Sequence, residues 1–164
     1  MTSFSAIDTM VAAIRAKVVA SSGLKITDEN GDTISPTILD RDEDPAVLAD
    51  SPAGLPAICV IFVGDKPDLI NPYISTYDWL HKFNVVIVGY YRATENQTRG
   101  EDIYDDIDTL RGKAYTCAEL FKGSGAWFNP GVVTNVRTEL GYYEITDYVI
   151  YRFVITLSCE IWEV

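Results

Sequence analysis

The order of apolar patterns along the chain predicts an α+β fold, with one helix, two strands, a second helix and two further strands. The last strand alternates between apolar and polar residues, which is typical of an antiparallel sheet with one buried face. The 164 residues, 48% of them hydrophobic, are enough for one core. We therefore expect a single domain over residues 1–164, with an antiparallel or mixed sheet of about four to five strands and two helices packed on one face.

The first helix is predicted over residues 5–20, where apolar side chains recur at spacings of three and four. Ser5 is suited to cap its N-terminus and Gly23 to end it. The side chains that share the apolar face are Ile7, Met10, Val11, Ile14 and Val18.

Residues 26–50 hold eight acidic side chains and one basic side chain, so most of the chain's net charge of −11 lies in this stretch. Asn30-Gly31 predicts a small hairpin, because this dipeptide favours a two-residue turn. Residues 39–55 are acidic and interrupted by Pro45, Pro52 and Gly54. We expect them to form a mobile acidic loop.

Two central strands are predicted at residues 57–63 and 83–92, joined by a long connection over residues 64–82. The first is a continuous apolar run between Pro56 and Gly64, as expected for a buried strand.

The second helix is the clearest element of the sequence. Thr98 and Glu101 have the spacing of a capping box, and Gly123-Ser124-Gly125 is suited to end the helix. Its apolar stripe consists of Ile103, Ile107, Leu110, Ala114, Cys117 and Phe121.

The last two strands are predicted at residues 132–140 and 148–162, with a hairpin connection over residues 141–147. In the final strand, every second residue from Val149 to Ile161 is apolar. The intervening residues include Arg152, Thr156, Ser158 and Glu160. We expect this second face of the sheet to be wetter than the first.

No constellation typical of catalysis or metal binding emerges. His81 is the single histidine, and a structural or surface role is the favoured interpretation. The Asp40-x-Asp42-x-Asp44 pattern imitates the start of a calcium loop, but Pro45 and Ser51 stand where that loop needs Gly and Glu.

Two further patterns resemble sites without having their chemistry. Asp105, Asp106 and Asp108 lie in the first turns of a helix, where solvent and the helix dipole keep carboxylates ionised. Gly123-Ser124-Gly125 follows a helix and lacks the lysine of a phosphate-binding loop. We expect no enzyme activity, cofactor or metal.

Charge and composition bear on partners and compartment. The basic residues are scattered singly, so direct reading of a nucleic-acid sequence is disfavoured. No apolar run reaches the length of a membrane span, and no signal peptide is recognisable. Cys59, Cys117 and Cys159 lie in apolar periodic sequence, which predicts buried free thiols and a reducing cytoplasm.

The chain is rich in large amphipathic aromatics, with 10 Tyr and 3 Trp. Such side chains are favoured at protein interfaces, but at turns they also cover a core, and both interpretations stay open. The aromatics at predicted strand ends and turns are Tyr90, Tyr91, Trp127, Tyr142, Tyr143 and Trp162.

Taken together, this layout resembles the tail terminator proteins of long-tailed bacteriophages, and more weakly the neck and tail-completion proteins. The resemblance covers nearly the whole chain and is one of pattern and length, since that family has no invariant chemical motif. It follows the N-terminal helix, the acidic loop, the strand at residues 83–91, the closing strand and two segments. These segments are Leu55-Pro56-Ala57-Ile58-Cys59-Val60-Ile61 and Asp102-Ile103-Tyr104-Asp105-Asp106-Ile107-Asp108-Thr109-Leu110.

The resemblance implies a structural protein of the virion, located at the junction of tail and head after assembly in the host cytoplasm. Its members form a hexameric ring that caps the tail tube, stops its polymerisation and offers a surface to the head connector. Double-stranded DNA passes through such rings without being read. An acidic subunit suits this duty, because like charge keeps DNA from adhering.

Two groups of residues are candidates for these contacts. The channel-lining or assembly loop would use Asp40, Asp42, Glu43, Asp44 and Asp50. The interface with the tail tube or a neighbouring subunit would use Tyr73, Tyr77, Trp79, Tyr142 and Tyr143. The alternatives are a neck or head–tail joining protein and, from a different class, a small enzyme or ligand-binding domain that uses the wetter sheet face.

Overall fold

The computed structural model describes residues 3–27, 33–42, 44, 47, 56–69, 79–92, 101–123, 125–128, 131–145 and 148–163. The helices in this part of the chain are α1 (Ser3–Ala20) and α2 (Glu101–Glu119), with a 3-10 turn at Ser22–Leu24. The strands are β1 (Ile26–Thr27), β2 (Thr33–Ile34), β3 (Thr37–Leu39), β4 (Ala57–Leu69), β5 (Trp79–Arg92), β6 (Ala126–Phe128), β7 (Gly131–Ile145) and β8 (Tyr148–Glu163).

The fold is α+β, with a mixed sheet that curls into a half-barrel. The strand order is β3-β4-β5-β8-β7-β6, and β3 and β4 form its parallel pair. The expected count of four to five strands was wrong, because the sheet has six. The additional strands β3 and β6 have three residues each, too few for a readable alternation.

The predicted connection over residues 64–82 was also too long. β4 continues to Leu69 and β5 begins at Trp79, and the two strands pair along this extension. A register shift follows Val63, where Gly64 adopts a φ of +63°. The extension resembles a loop in sequence because it contains Pro67 and charged residues. A strand tolerates these where one of its edges has no described partner, and β3 pairs with β4 only at residues 57–59.

The predicted hairpins are present. β1 and β2 pair antiparallel through Ile26 with Ile34 and Thr27 with Thr33. β7 and β8 pair from Ile145 opposite Tyr148 onward. β7 therefore extends five residues beyond its predicted end at Leu140, whereas β8 begins at the predicted Tyr148.

Both helices pack on the same face of the sheet, as predicted, and share one core with it. The side chains of α1 and α2 interleave with the odd-numbered residues of β5 and β8. Residues with no exposed surface in this core include Met10, Ile14, Ile87, Ala114, Phe121, Ile155 and Leu157. Neither described helix is long and apolar enough to cross a membrane.

The sequence predicted that the opposite face of the sheet is wetter than the helix-covered face. Part of this opposite face is instead buried. A second buried cluster lies there, against which Leu39 of β3 and Val154 of β8 pack. Its members are Ala57, Cys59, Val88, Tyr90 and Ile150. Further along the same face, Thr156, Ser158 and Glu160 are half-buried, so the predicted polarity holds only for that end.

Candidate functional site

The beginning of the acidic loop is tied to this second face by Asp42, Tyr90 and Arg152. Tyr90 of β5 and Arg152 of β8 are direct cross-strand partners. The Tyr90 hydroxyl donates a hydrogen bond to Oδ1 of Asp42, and Nη2 of Arg152 donates to Oδ2 at 3.2 Å. Nε of Arg152 lies 3.4 Å from the Tyr90 hydroxyl, with its guanidinium carbon 5.9 Å from the ring centre. We call this group the Asp42 cluster.

Within the Asp42 cluster, the pKa of Tyr90 determines which atoms donate hydrogen bonds. Burial raises the pKa of Tyr90 well above its ordinary value of 10.0. The hydrogen bond to Asp42 raises this pKa further, and the one from Arg152 opposes the rise. The phenol therefore remains a proton donor at neutral pH, and the Asp42 carboxylate accepts from both partners.

Asp40, another acidic residue of the predicted loop, is held less firmly than Asp42. Asp40 forms an ion pair with Arg15 of α1 at 3.1 Å, but its side chain is 93% exposed. An exposed pair of this kind contributes little to stability. The carbonyl of Asp44 accepts a hydrogen bond of 2.9 Å from the amide of Val47. Glu43 and Asp50 lie outside the described residues, and the predicted mobility of the loop stays a prediction.

The predicted aromatic interface divides into three parts. Tyr73 and Tyr77 lie outside the described residues. Trp79 is the first residue of β5 and is 41% exposed. Tyr142 is 58% exposed on β7, and the backbone of its neighbour Tyr143 pairs with Ile150.

Trp79 and the Tyr142–Tyr143 pair are not brought together. Trp79 is level with Glu163 of β8, whereas Tyr142 is level with Tyr151. These positions on β8 are about twelve residues apart, or roughly 40 Å at ~3.3 Å per residue. They therefore mark opposite ends of the sheet and belong to different surfaces.

Further exposed apolar side chains, outside the set predicted for the tail-tube or subunit interface, lie on the outer strands of the sheet. Phe62 and Val63 of β4 are 41% and 47% exposed, and Leu140 of β7 is 40% exposed. Trp127 of β6 is 68% exposed, and its ring centre lies 6.0 Å from that of Trp162. Sequence alone does not single them out, because single apolar residues are common at protein surfaces and only the fold shows which of them are covered.

Two open grooves border the sheet. The first, about 410 Å³, lies between α2 and β7 and is lined by Tyr115, Ala118, Lys122, Val136 and Thr138, among others. We call it the α2–β7 groove. The second, about 460 Å³, runs across β4, β5, β8 and β7 and is lined mainly by polar residues, including Lys82, Asn84, Ser158 and Glu160.

The histidine and the three cysteines do not form a common site among the described residues. His81 is buried in β5, opposite Pro67 and Ile161. Within the part of the chain that the structure describes, no three His, Cys, Asp or Glu residues are grouped to hold a metal ion. Cys59, Cys117 and Cys159 are buried free thiols, as predicted. Burial raises the pKa of Cys117 and of Cys159 to about 12.

No protein family matches the chain, and no curated protein is significantly similar to it.

Proposed function

We propose that this chain is a tail terminator of a long-tailed bacteriophage, a subunit that assembles with copies of itself into a ring on the end of the tail tube. The supporting observation is the position of the exposed apolar side chains. Phe62 and Val63 lie on one outer long strand of the sheet, and Leu140 and Tyr142 lie on the other. A subunit with two lateral contact surfaces of this kind suits a ring.

The Asp42 cluster gives the acidic loop a defined starting point. Its contacts hold the loop's first residues on the sheet face opposite the helices. The Asp42 carboxylate is paired with Arg152, so the repulsion of DNA would come from the chain's net charge of −11, to which Glu43 and Asp50 contribute.

The test removes the gene from the phage that carries it and measures tail lengths in negatively stained lysates. We expect tails longer than those of the parent phage and of variable length, because nothing stops the tube from growing. Expression of the intact chain from a plasmid restores the uniform length.

Two other results would replace this proposal. Tails of normal length that fail to attach to heads indicate a neck or head–tail joining protein, which the same lateral surfaces would serve. Normal infectious particles exclude a role at this junction, and the chain would then be examined for ligand binding along its polar groove.

A further inference from the structure

Residues 39–42 cross the face of the sheet that lies opposite the helices. Leu39 is the last residue of β3 and pairs with Cys59 of β4. Three residues later, the carboxylate of Asp42 accepts a hydrogen bond from Arg152 of β8, which is two strands further into the sheet. The segment between these two contacts therefore runs from β4 across β5 to β8. We call residues 39–42 the strap.

The strap starts from a fixed point at Ile38. This residue pairs with Ile58 of β4 and packs against the helix-covered core. One residue earlier, the amide of Thr37 donates a hydrogen bond of 2.8 Å to the carbonyl of Pro56. Successive strand residues point to opposite faces, so Ile38 anchors β3 on the helix side while Leu39 lies on the other side. Movement of the strap would pivot at Ile38 and leave the first part of β3 in place.

The second apolar cluster lies beneath the strap. Ala57 and Cys59 have no exposed surface, and Val88 is buried beside them. Leu39 packs against this cluster, and its contact is made from outside the three long strands that form the cluster. The strap therefore contributes to the cover that keeps the Cys59 thiol from solvent.

The charged contacts of the strap are open to solvent. The side chain of Asp42 is 41% exposed, and that of its partner Arg152 is 26% exposed. The pair between Asp40 and Arg15 is more exposed still and contributes little to stability. By comparison, β5 pairs with β8 over fourteen residues whose inner side chains fill the core. Segments held by few buried contacts open at a lower free energy than the core of the same protein.

We propose that the strap opens as a unit about Ile38 while the helix-covered core stays closed, and that the Asp42 cluster is the contact that holds the strap shut. Opening lifts Leu39 from the second apolar cluster, exposes the thiol of Cys59 and moves the first residues of the acidic loop away from the sheet. This device depends only on contacts within one chain, so it is independent of the proposed function.

The native cysteines serve as reporters in the test. Cys59 lies beneath the strap, whereas Cys117 and Cys159 belong to the helix-covered core. N-ethylmaleimide alkylates a thiol only while the thiol is exposed, and peptide mass spectrometry measures the three sites separately. Each rate in the folded protein is divided by the rate of the same site in the urea-unfolded chain. We expect the corrected rate of Cys59 to exceed those of the other two by at least about tenfold.

Equal corrected rates at the three cysteines would overturn the inference. They would mean that all three thiols become exposed in the same event, the unfolding of the whole chain.

The variant Asp42→Ala tests what holds the strap. Loss of hydrogen bonds to a charged group should raise the alkylation rate of Cys59 by at least a further factor of about ten. The rates of Cys117 and Cys159 should stay near those of the wild type. Asp40→Ala is the matched control, because it removes an acidic residue of the same strap whose side chain is 93% exposed, and it should leave all three rates unchanged. An unchanged Cys59 rate in Asp42→Ala contradicts the proposal, and so does an equal rise at all three cysteines.

A double variant tests whether Asp42 and Arg152 act through the same contact. Arg152→Ala should also accelerate the alkylation of Cys59. The chain that carries both Asp42→Ala and Arg152→Ala should react about as fast as the faster single variant, because the shared contact can be lost only once. If the two accelerations multiply, the residues act separately and the Asp42 cluster is not what holds the strap. The purified chain alone is used throughout, so neither result depends on the outcome of the tail-length experiment.

Discussion

The two faces of the sheet are built from the same strands but are stabilised in different ways. The helix-covered face is one continuous apolar core, to which α1 and α2 contribute. The opposite face has a small apolar cluster at one end, the charged Asp42 cluster beside it and polar residues beyond. Most of the folding stability therefore comes from the helix-covered face, whereas the opposite face positions the acidic loop.

Shortening one side chain on each face tests this difference, and it gives the largest expected change in the free energy of unfolding. Leu157→Ala removes a fully buried side chain on the helix face and should lower the free energy of unfolding by about 2–5 kcal/mol. Thr156→Ala, its neighbour on the other face, should change it by less than about 1 kcal/mol. Urea unfolding of both variants measures the difference, and equal losses would show that the faces are energetically alike.

A smaller loss of stability is expected when a methyl group is added to the main core at Gly89. A Cβ at Gly89 would overlap the ring of Phe153, its cross-strand partner in the main core. Gly89→Ala should therefore cost about 1–3 kcal/mol by overpacking. Gly141→Ala is the control, because its Cβ would meet nothing within 4 Å. A thermal midpoint for Gly89→Ala at or above that of Gly141→Ala would contradict this packing.

The smallest effect concerns the Asp42 cluster and depends on pH. The pKa of Tyr90 is raised in the folded state, so the unfolded chain loses this proton first as pH rises. The contribution of Tyr90 is therefore complete below about pH 10 and declines above it, by up to about 1.4 kcal/mol per pH unit. Tyr90→Phe should make unfolding less sensitive to pH between about pH 10 and pH 12.

The control for this measurement is Tyr115→Phe, because Tyr115 is 62% exposed on α2. The wild-type chain and this control should lose stability over the same range with the same slope. If Tyr90→Phe shows the same decline of stability with pH, the pKa of Tyr90 does not differ from that of an exposed tyrosine, and the prediction is wrong.

Only part of the candidate site could be predicted from the sequence. Asp40 and Asp42 were selected for their acidity, but their partners Arg15 and Arg152 are distant along the chain. A signal for Arg152 was present, since it is a lone cation in a strand of alternating apolar residues. Its pairing with Asp42 could not be read, because strand order and register bring the two together.

The interface residues illustrate the same limit. The sequence analysis selected Trp79 and Tyr142 because they are large aromatic residues, but they lie at opposite ends of the sheet. Phe62 has the same apolar character as its buried neighbours in β4, so sequence alone gave no reason to separate it from the core. Only the fold shows that it is 41% exposed, although its ring centre lies 5.7 Å from that of the core residue Phe83.

The sequence by itself determined the two helices, the four long strands, the common face of the helices and the burial of the three cysteines. Periodicity carries this information, because each element must turn its apolar residues toward one core. Only the tertiary structure decided the two short edge strands, the second apolar cluster and the pairing of Asp42 with Arg152. These depend on pairing between distant segments, where hydrogen bonds and register act across the chain and leave no local pattern.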